Sequence, residues 1–246
     1  MVAYTKEKTI EDIENAMQNW GELYNSNAVN RIGATSDTGE AYTEIAAQKI
    51  LERIGELKSS INISIVRRGE SGKSYKVEGH KWKAFDENPD LPRKEERKAK
   101  SFMKETIPGL GTVLDYQIPL YAVSKKKSGL RLGKIDMVAI TGDKRTFYLI
   151  EYKWRVSNET LLRCVLEAYT YSQIVDGKQL LSDFDYPEAT LRKAVLAYKS
   201  TPKHKCQPYL DFHADCPNVR RLMRELGVDF FVLSESVSES YLCDTL

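Results

Sequence analysis

Residues 134–154 read KIDMVAITGDKRTFYLIEYKW, and two apolar runs in this segment flank a short polar loop. The loop at 141–146 contains Gly and Asp and is typical of a turn between antiparallel strands, so the segment predicts a β-hairpin. In a symmetric hairpin, Asp136 lies opposite Glu151. Residues that face each other in this way have Cβ atoms about 4.5–5.5 Å apart and point to the same side of the sheet. The hairpin therefore predicts two adjacent carboxylates.

Two adjacent carboxylates repel each other unless a positive charge lies between them. A hard divalent cation such as Mg²⁺ or Mn²⁺ suits that position, because it binds one or two carboxylates together with waters and phosphate oxygens. Lys153 lies two residues beyond Glu151 on the same face, where its ammonium can orient an attacking water or stabilise a pentavalent phosphate. We therefore predict Asp136 and Glu151 as metal ligands, and all three residues as catalytic. The alternative is that Glu151 and Lys153 are solvent-facing residues of an amphipathic strand.

The elements around the hairpin follow a regular order from residue 94 onward. Apolar periodicity and turn residues predict a helix at 94–106, strands at 113–122, 130–140 and 146–155, a helix at 157–175, a strand at 193–199, a helix at 217–226 and a strand at 228–233. Such a mixture of helices and strands is typical of an α/β domain. We therefore expect a mixed central β-sheet flanked by helices.

Ile135-Asp136 and, after fourteen intervening residues, Glu151-Tyr152-Lys153 resemble the signature of the PD-(D/E)XK, or restriction-endonuclease-like, nucleases. The resemblance covers about residues 94–233. It implies a restriction-endonuclease-like core in which the Asp and the Glu ligate Mg²⁺ or Mn²⁺ and the Lys assists the attacking water. Ile135 stands where the family has Pro, a departure that does not touch the chemistry.

The function implied by this resemblance is a divalent-metal-dependent nuclease that hydrolyses phosphodiester bonds, with DNA as the expected substrate. A catalytically inactive nucleic-acid-binding or protein-binding module of the same fold is the alternative, because a fold does not establish an activity. A third interpretation is an ordinary α/β domain with a coincidental triplet, and it predicts no acidic cleft.

Many members of that family add a Glu from the helix before the first strand. Glu96 is our choice for this catalytic position, since on a helix it lies on the side of Ala99 and Met103. Glu44, in an earlier predicted helix, is held in reserve.

RecB-like members also carry a Gln and a Tyr four residues apart on the helix after the Lys. Glu167 and Tyr171 have this spacing with Glu in place of Gln, and Tyr169 and Gln173 have the two residue types in reverse order. Ordinary helix surface and core is the favoured interpretation for all four residues. Membership of the RecB-like branch is left open.

Positive charge is concentrated near the predicted site. Residues 91–134 hold 11 Lys/Arg against 4 Asp/Glu, and such clusters attract the phosphate backbone of nucleic acids. In the symmetric hairpin Lys134 would face Lys153, an unfavourable pair unless phosphate lies between them or Gly133 marks a bulge. The expected nucleic-acid contacts are Lys125, Lys126, Lys127, Lys134 and Lys199.

The first 90 residues are expected to form a mainly helical N-terminal extension, and residues 91–246 the nuclease-like core. The predicted elements of the extension are helices at 9–24 and 38–57, the second capped by Asp37 or Thr38, strands at 61–67 and 75–77, and a Pro-containing connector at 85–92. We expect this extension to pack on the core and to shape substrate access.

The composition excludes an intrinsically disordered chain and a membrane protein, because 41% of the 246 residues are hydrophobic and 29% are charged. The start of the chain has no apolar stretch of the secretory type, and no apolar run approaches the roughly 18 residues needed to span a bilayer. Four cysteines in a chain of this size suit a reducing compartment, so we expect a cytoplasmic protein. The oligomeric state is left open, with a homodimer as one option.

Two of the three histidines and two of the four cysteines lie within thirteen residues, as His204, Cys206, His213 and Cys216. These residue types suit tetrahedral Zn²⁺, but their spacing is not that of a known zinc finger. An incidental grouping in a loop is favoured, and metal binding there is kept as an alternative.

Overall fold

The computed structural model of the chain describes residues 4–61, 74–77, 94–121 and 131–234. Within these ranges the chain forms eight α-helices, preceded or followed by short turns. They are α1 (Lys6–Ala16), α2 (Tyr42–Glu52), α3 (Ile54–Ser60), α4 (Lys94–Ser101), α5 (Leu161–Ile174), α6 (Gly177–Asp183), α7 (Gln207–His213) and α8 (Pro217–Leu226). No helix among the described residues is long and apolar enough to cross a membrane.

Six strands in the described part of the chain form one mixed sheet. They are β1 (Thr106–Ile107), β2 (Gly111–Tyr121), β3 (Arg131–Ile140), β4 (Thr146–Lys153), β5 (Thr190–Tyr198) and β6 (Val228–Leu233). Their spatial order follows the chain, with antiparallel pairing from β1 to β4 and parallel pairing from β4 to β6. Parallel neighbours need a crossover, which α5 and α6 provide between β4 and β5, and α7 and α8 between β5 and β6. The predicted α/β architecture, a mixed sheet flanked by helices, is confirmed.

The β3–β4 hairpin has the predicted register over four residue pairs, the last of which is Met137 opposite Ile150. The ladder ends there, so the extension of the symmetric register to Asp136 and Glu151 as a ladder pair is wrong. At this point a side chain takes the place of a backbone acceptor on β3: Asp136 Oδ2 accepts a hydrogen bond from the Tyr152 N–H at 3.0 Å. Both carboxylates nevertheless stay at the same end of the hairpin.

Beyond this point β3 continues beside β2. The register between these two strands shifts after Val113 and again after Leu120, where the partner is Gly133. The second shift lies where the sequence allowed for a bulge. Lys134 consequently pairs with Pro119 on β2 and does not extend the ladder toward Lys153.

β4 is a central strand, and all of its residues from Phe147 to Lys153 are buried. It is paired on both sides, and α5 packs against it and against β5. Glu151 is 3% exposed and Lys153 is 6% exposed. The alternative that these two residues face solvent is therefore wrong.

The N-terminal elements pack on the same core as the sheet. Buried apolar residues from Ile13 to Leu233 form a single cluster. N-terminal residues also fix the start of α5, because Thr160 Oγ1 donates to the Val29 carbonyl at 2.6 Å and the Thr160 N–H donates to Asn30 Oδ1 at 2.8 Å. The expected packing of the extension on the core is confirmed for the described residues.

Several predicted bounds in the extension differ from the structure. α1 ends at Ala16 and two short 3₁₀ helices follow it, whereas one helix at 9–24 was expected. The single helix predicted at 38–57 is instead two helices, α2 and α3, and the first begins at Tyr42. No side chain caps α2, and the Asp37 carboxylate, a predicted cap, accepts a hydrogen bond from the Lys6 N–H. Residues 75–77 form no strand. The predicted strand at 61–67 lies outside the described residues, except for its first residue, as does the connector at 85–92.

Candidate active site at the end of the central strands

Lys153, the last residue of β4, lies among carboxylates. Its Nζ is 2.7 Å from Glu151 Oε1 and 2.5 Å from Glu159 Oε2. Glu95 Oε1, from the first turn of α4, lies 3.7 Å from the same nitrogen. A buried ammonium needs charged partners to offset its lost hydration, and these carboxylates provide them.

Asp136 is held by one backbone donor and one side-chain donor. Its Oδ2 accepts the Tyr152 N–H, and its Oδ1 accepts a hydrogen bond from Gln117 Nε2 at 2.8 Å. The other end of the same amide, Gln117 Oε1, accepts a hydrogen bond from Lys134 Nζ at 2.9 Å. Asp136 thus contacts the backbone of β4 next to Glu151, and the Gln117 amide links it to Lys134.

α5 adds a further carboxylate to the site. One carboxylate oxygen from each of Glu151, Glu159 and Glu167 lies within 4.8 Å of the other two. Glu167 Oε1 accepts a hydrogen bond from the Tyr171 hydroxyl at 2.9 Å. A Cβ on Gly133 would lie 2.1 Å from that hydroxyl oxygen, so the absence of a side chain there permits the Tyr171 side chain to reach β3.

These contacts correct one sequence interpretation. Glu167 and Tyr171 were interpreted as ordinary helix surface and core, but Tyr171 donates a hydrogen bond to Glu167, whose carboxylate lies near those of Glu151 and Glu159. Gln173, by contrast, is exposed, and Tyr169 is buried beneath Lys193, whose Nζ lies 5.5 Å from the centre of the ring.

We name Asp136, Glu151, Glu95, Glu159 and Glu167 the carboxylate cluster. In the described part of the chain, the cations in contact with it are Lys153, Arg163, which lies 3.5 Å from Glu159, and Lys134, which reaches it through Gln117. Among the described residues, five carboxylates against three cations leave negative charge in a partly buried place. Oxygen donors with excess negative charge fit a hard divalent cation.

Burial and mutual repulsion change the pKa values of this cluster. Burial raises the pKa of Asp136 to about 7, although the Lys153 charge acts in the opposite direction. Burial and the charges of Asp136 and Glu167 raise the pKa of Glu151 well above its usual value. Burial lowers the pKa of Lys153, but the charges of Glu151 and Glu95 outweigh burial and raise it. The cluster therefore favours bound protons or another cation.

The structure does not place Glu96 where the sequence analysis expected it. Glu95 is the residue of α4 that reaches Lys153, and its Oε2 also accepts the Trp154 N–H at 3.0 Å. Glu96 lies at the edge of the site, with Oε1 3.9 Å from Lys134 Nζ. The two residues are neighbours on the first turn of α4, and the catalytic role of Glu96 stays a prediction from the sequence.

Glu44, the reserve choice, lies elsewhere in the fold. It is buried on α2, and its two carboxylate oxygens accept the N–H groups of Asn218 and Val219 at 2.8 and 3.0 Å. These are free N–H groups in the first turn of α8. Glu44 therefore caps a helix and has no part in the carboxylate cluster.

The basic residues expected to contact nucleic acid lie in different parts of the chain relative to the site. Lys134 lies beside the site through Gln117. Lys199 is exposed and follows β5, in which Ala197 pairs with Lys153 of β4. Lys199 therefore lies at the same end of these strands as the site. Lys125, Lys126 and Lys127 lie outside the described residues.

The His and Cys residues at 204–216 are dispersed around α7. Cys206 and Cys216 are buried, and the Cys206 thiol lies 3.8 Å from the Lys153 carbonyl oxygen. His213 packs its ring against Tyr209, with centroids 4.4 Å apart. Among the described residues, the carboxylates of Glu151, Glu159 and Glu167 are the one group with a metal-binding arrangement.

Three residues of the site were not predicted from the sequence: Glu95, Glu159 and Gln117. Glu159 lies in the seven residues between the end of β4 and the start of α5, a position at which the carboxyl ends of parallel strands gather polar groups. This signal could have identified it. Gln117 had no such signal, because its place opposite β3 depends on the register shift in β2.

Comparison of the chain with protein-family models, with curated proteins and with solved structures finds no match.

Proposed function

We propose that this chain is a divalent-metal-dependent nuclease with a restriction-endonuclease-like PD-(D/E)XK core, which hydrolyses phosphodiester bonds in DNA. One observation carries the proposal: Glu151 and Lys153 are buried together at the end of β4, beside Asp136, in a cluster whose described residues include more carboxylates than cations. Burying like charges is costly, and the cost is offset when a cation binds.

The residues divide the chemistry among them. Asp136 and Glu151 would hold the metal, with Glu167 and Glu159 extending the oxygen donors around Glu151. A bound Mg²⁺ or Mn²⁺ supplies a Lewis acid that acidifies water and offsets charge on a phosphate. Lys153, held in place by its carboxylate neighbours, orients the attacking water or stabilises the pentavalent phosphate.

Lys134 and Lys199 are proposed to contact the nucleic-acid backbone. Lys134 Nζ donates a hydrogen bond to Gln117, which contacts Asp136, and Lys199 is exposed at the same end of the strands. Both can attract phosphate by charge alone, without reading bases. The same role for Lys125, Lys126 and Lys127 stays a prediction from the sequence.

The second candidate is an inactive nucleic-acid-binding or protein-binding module of the same fold. Three contacts favour it: both oxygens of Asp136 already accept a hydrogen bond, and Lys153 already forms an ion pair with Glu151. In such a module Lys153 permanently occupies the place of the metal. Cleavage assays separate the two candidates.

The test is cleavage of linear, nicked, branched and single-stranded DNA by the purified chain with Mg²⁺ or Mn²⁺. We expect cleavage that requires the metal and that is lost in Glu151→Gln prepared in the same way. The Gln variant controls for a contaminating nuclease. No cleavage of any substrate, or equal cleavage by both proteins, would overturn the proposal and favour the inactive module.

A further inference from the structure

Gln117 has an unusual backbone conformation. Its φ is 52°, in the left-handed region that residues with a side chain rarely adopt. The other non-glycine residues with positive φ in the described part of the chain, Lys104, Lys144 and Asp185, are exposed and lie in turns. Gln117 lies inside β2, between residues that pair with β3 on both sides. Strain of this kind persists only where the surrounding structure imposes it, and it is frequent at functional sites.

The position of the Gln117 side chain gives this strain a role. Tyr116 pairs with Met137 and Ile118 pairs with Ile135, so Gln117 stands across from Asp136. The amide lies between Asp136 Oδ1 at 2.8 Å and Lys134 Nζ at 2.9 Å.

The chemistry of the two neighbours fixes the orientation of the amide. An ionised carboxylate only accepts hydrogen bonds and an ammonium only donates them. The Gln117 nitrogen must therefore face Asp136 and its oxygen must face Lys134, as the structure has them. The amide also separates the two charges, since it occupies the space in which Lys134 could otherwise pair directly with Asp136.

We propose that Gln117 is a positioning residue, held by its left-handed backbone so that its amide orients the Asp136 carboxylate for a metal and keeps Lys134 free for a substrate phosphate. This inference rests on the proposed function, because it assigns a role at the same site. Removal of Gln117 lets Lys134 approach Asp136 and compete with the metal. Replacement of a residue that orients a metal ligand in this way typically weakens metal binding by about 10–100-fold.

The test compares Gln117→Ala with Gln117→Gly in the full chain. Both variants lose the amide, but only Gly adopts a positive φ without strain. Lys144→Ala and Lys144→Gly form the matched control, because Lys144 has a φ of 60° in an exposed turn away from the site. The measurements are the melting temperature without metal and the Kd for Mn²⁺, which is obtained from the electron paramagnetic resonance signal of free Mn²⁺.

We expect each Gly variant to melt about 2–4 °C above its Ala counterpart, and both Gln117 variants to bind Mn²⁺ about tenfold or more weakly. The Lys144 variants should bind Mn²⁺ as wild type does. The positioning role is overturned if Gln117→Ala binds Mn²⁺ with the wild-type Kd, or if the Gly and Ala variants at position 117 melt together while those at 144 do not. Wild type that bound no Mn²⁺ would remove the proposed function itself, and the positioning role with it.

Discussion

Glu44 and Glu151 are both buried carboxylates, with 6% and 3% of their surface exposed, but their surroundings differ. Glu44 accepts two backbone N–H groups at the start of α8, so neutral donors stabilise its charge. Glu151 shares its surroundings with Asp136 and Glu167, whose charges oppose its ionisation, and with Lys153. Burial raises the pKa of both carboxyl groups. The backbone N–H donors lower the pKa of Glu44, whereas the charge of Asp136 raises the pKa of Glu151 further.

The difference shows that burial alone does not identify a functional carboxylate. Unpaired N–H groups at a helix start explain Glu44 completely, because each needs an acceptor when it is buried. No such need explains the carboxylate cluster, in which carboxylates outnumber cations among the residues that the structure describes. The physical signature of the proposed site is therefore repulsion among its own residues.

The largest effect that separates the two regions is expected from Glu44→Ala. The change leaves two N–H groups of α8 without acceptors in a buried place, so the free energy of unfolding should fall by about 2–4 kcal/mol. Chemical denaturation measures this loss. The increase in melting temperature caused by Mn²⁺ should stay at the wild-type value. A loss of the Mn²⁺ response would contradict the separation of the two regions.

Gly133→Ala should have the next largest effect, and it sharpens the description of the site. The new Cβ would lie 2.1 Å from the Tyr171 hydroxyl at a φ of +150°, so we expect a loss of about 1–3 kcal/mol in the free energy of unfolding. In the Tyr171→Phe background the same change should cost less, because the closest atom is gone. Equal costs in the two backgrounds would mean that the Tyr171 hydroxyl is not the atom that limits the space at Gly133.

The smallest effect concerns pH in the absence of metal. The raised pKa of Asp136, about 7, means that the folded chain holds a proton that the unfolded chain has released. Stability gained in this way is present at low pH and lost as pH rises through 7, by about 1 kcal/mol for this group between pH 6 and 8. Denaturation of wild type and Asp136→Asn across this range checks it, and the Asn variant should have the flatter profile. Parallel profiles would contradict the assigned pKa.

Much of the fold could be predicted because local signals were strong. The Thr141–Thr146 turn fixed the register of the β3–β4 hairpin over four pairs, and Gly227, with φ 62°, ends α8 where the sequence placed its end. α6 and α7 were missed, since helices of seven residues give too little periodicity. The register shifts in β2 depend on tertiary packing and had no local signal.

The site was predictable only in part, for a related reason. Two residues of one strand, Glu151 and Lys153, share a face by the period of a strand, and a hairpin brought Asp136 to the same end. Glu95 and Glu167 reach the site through helix packing, which depends on angles that the sequence does not encode locally. The contact of Gln117 with Asp136 depends on a strained backbone that no residue type announces.

The most direct test of the proposed metal site is a calorimetric titration of Mn²⁺ into wild type, Glu151→Gln and Glu44→Gln. Each variant removes one buried carboxylate charge and keeps the size of the side chain, so the pair is matched. Wild type and Glu44→Gln should bind Mn²⁺ with the same Kd, and Glu151→Gln should bind at least about tenfold more weakly. Wild-type affinity in Glu151→Gln would contradict the assignment of Glu151 as a metal ligand.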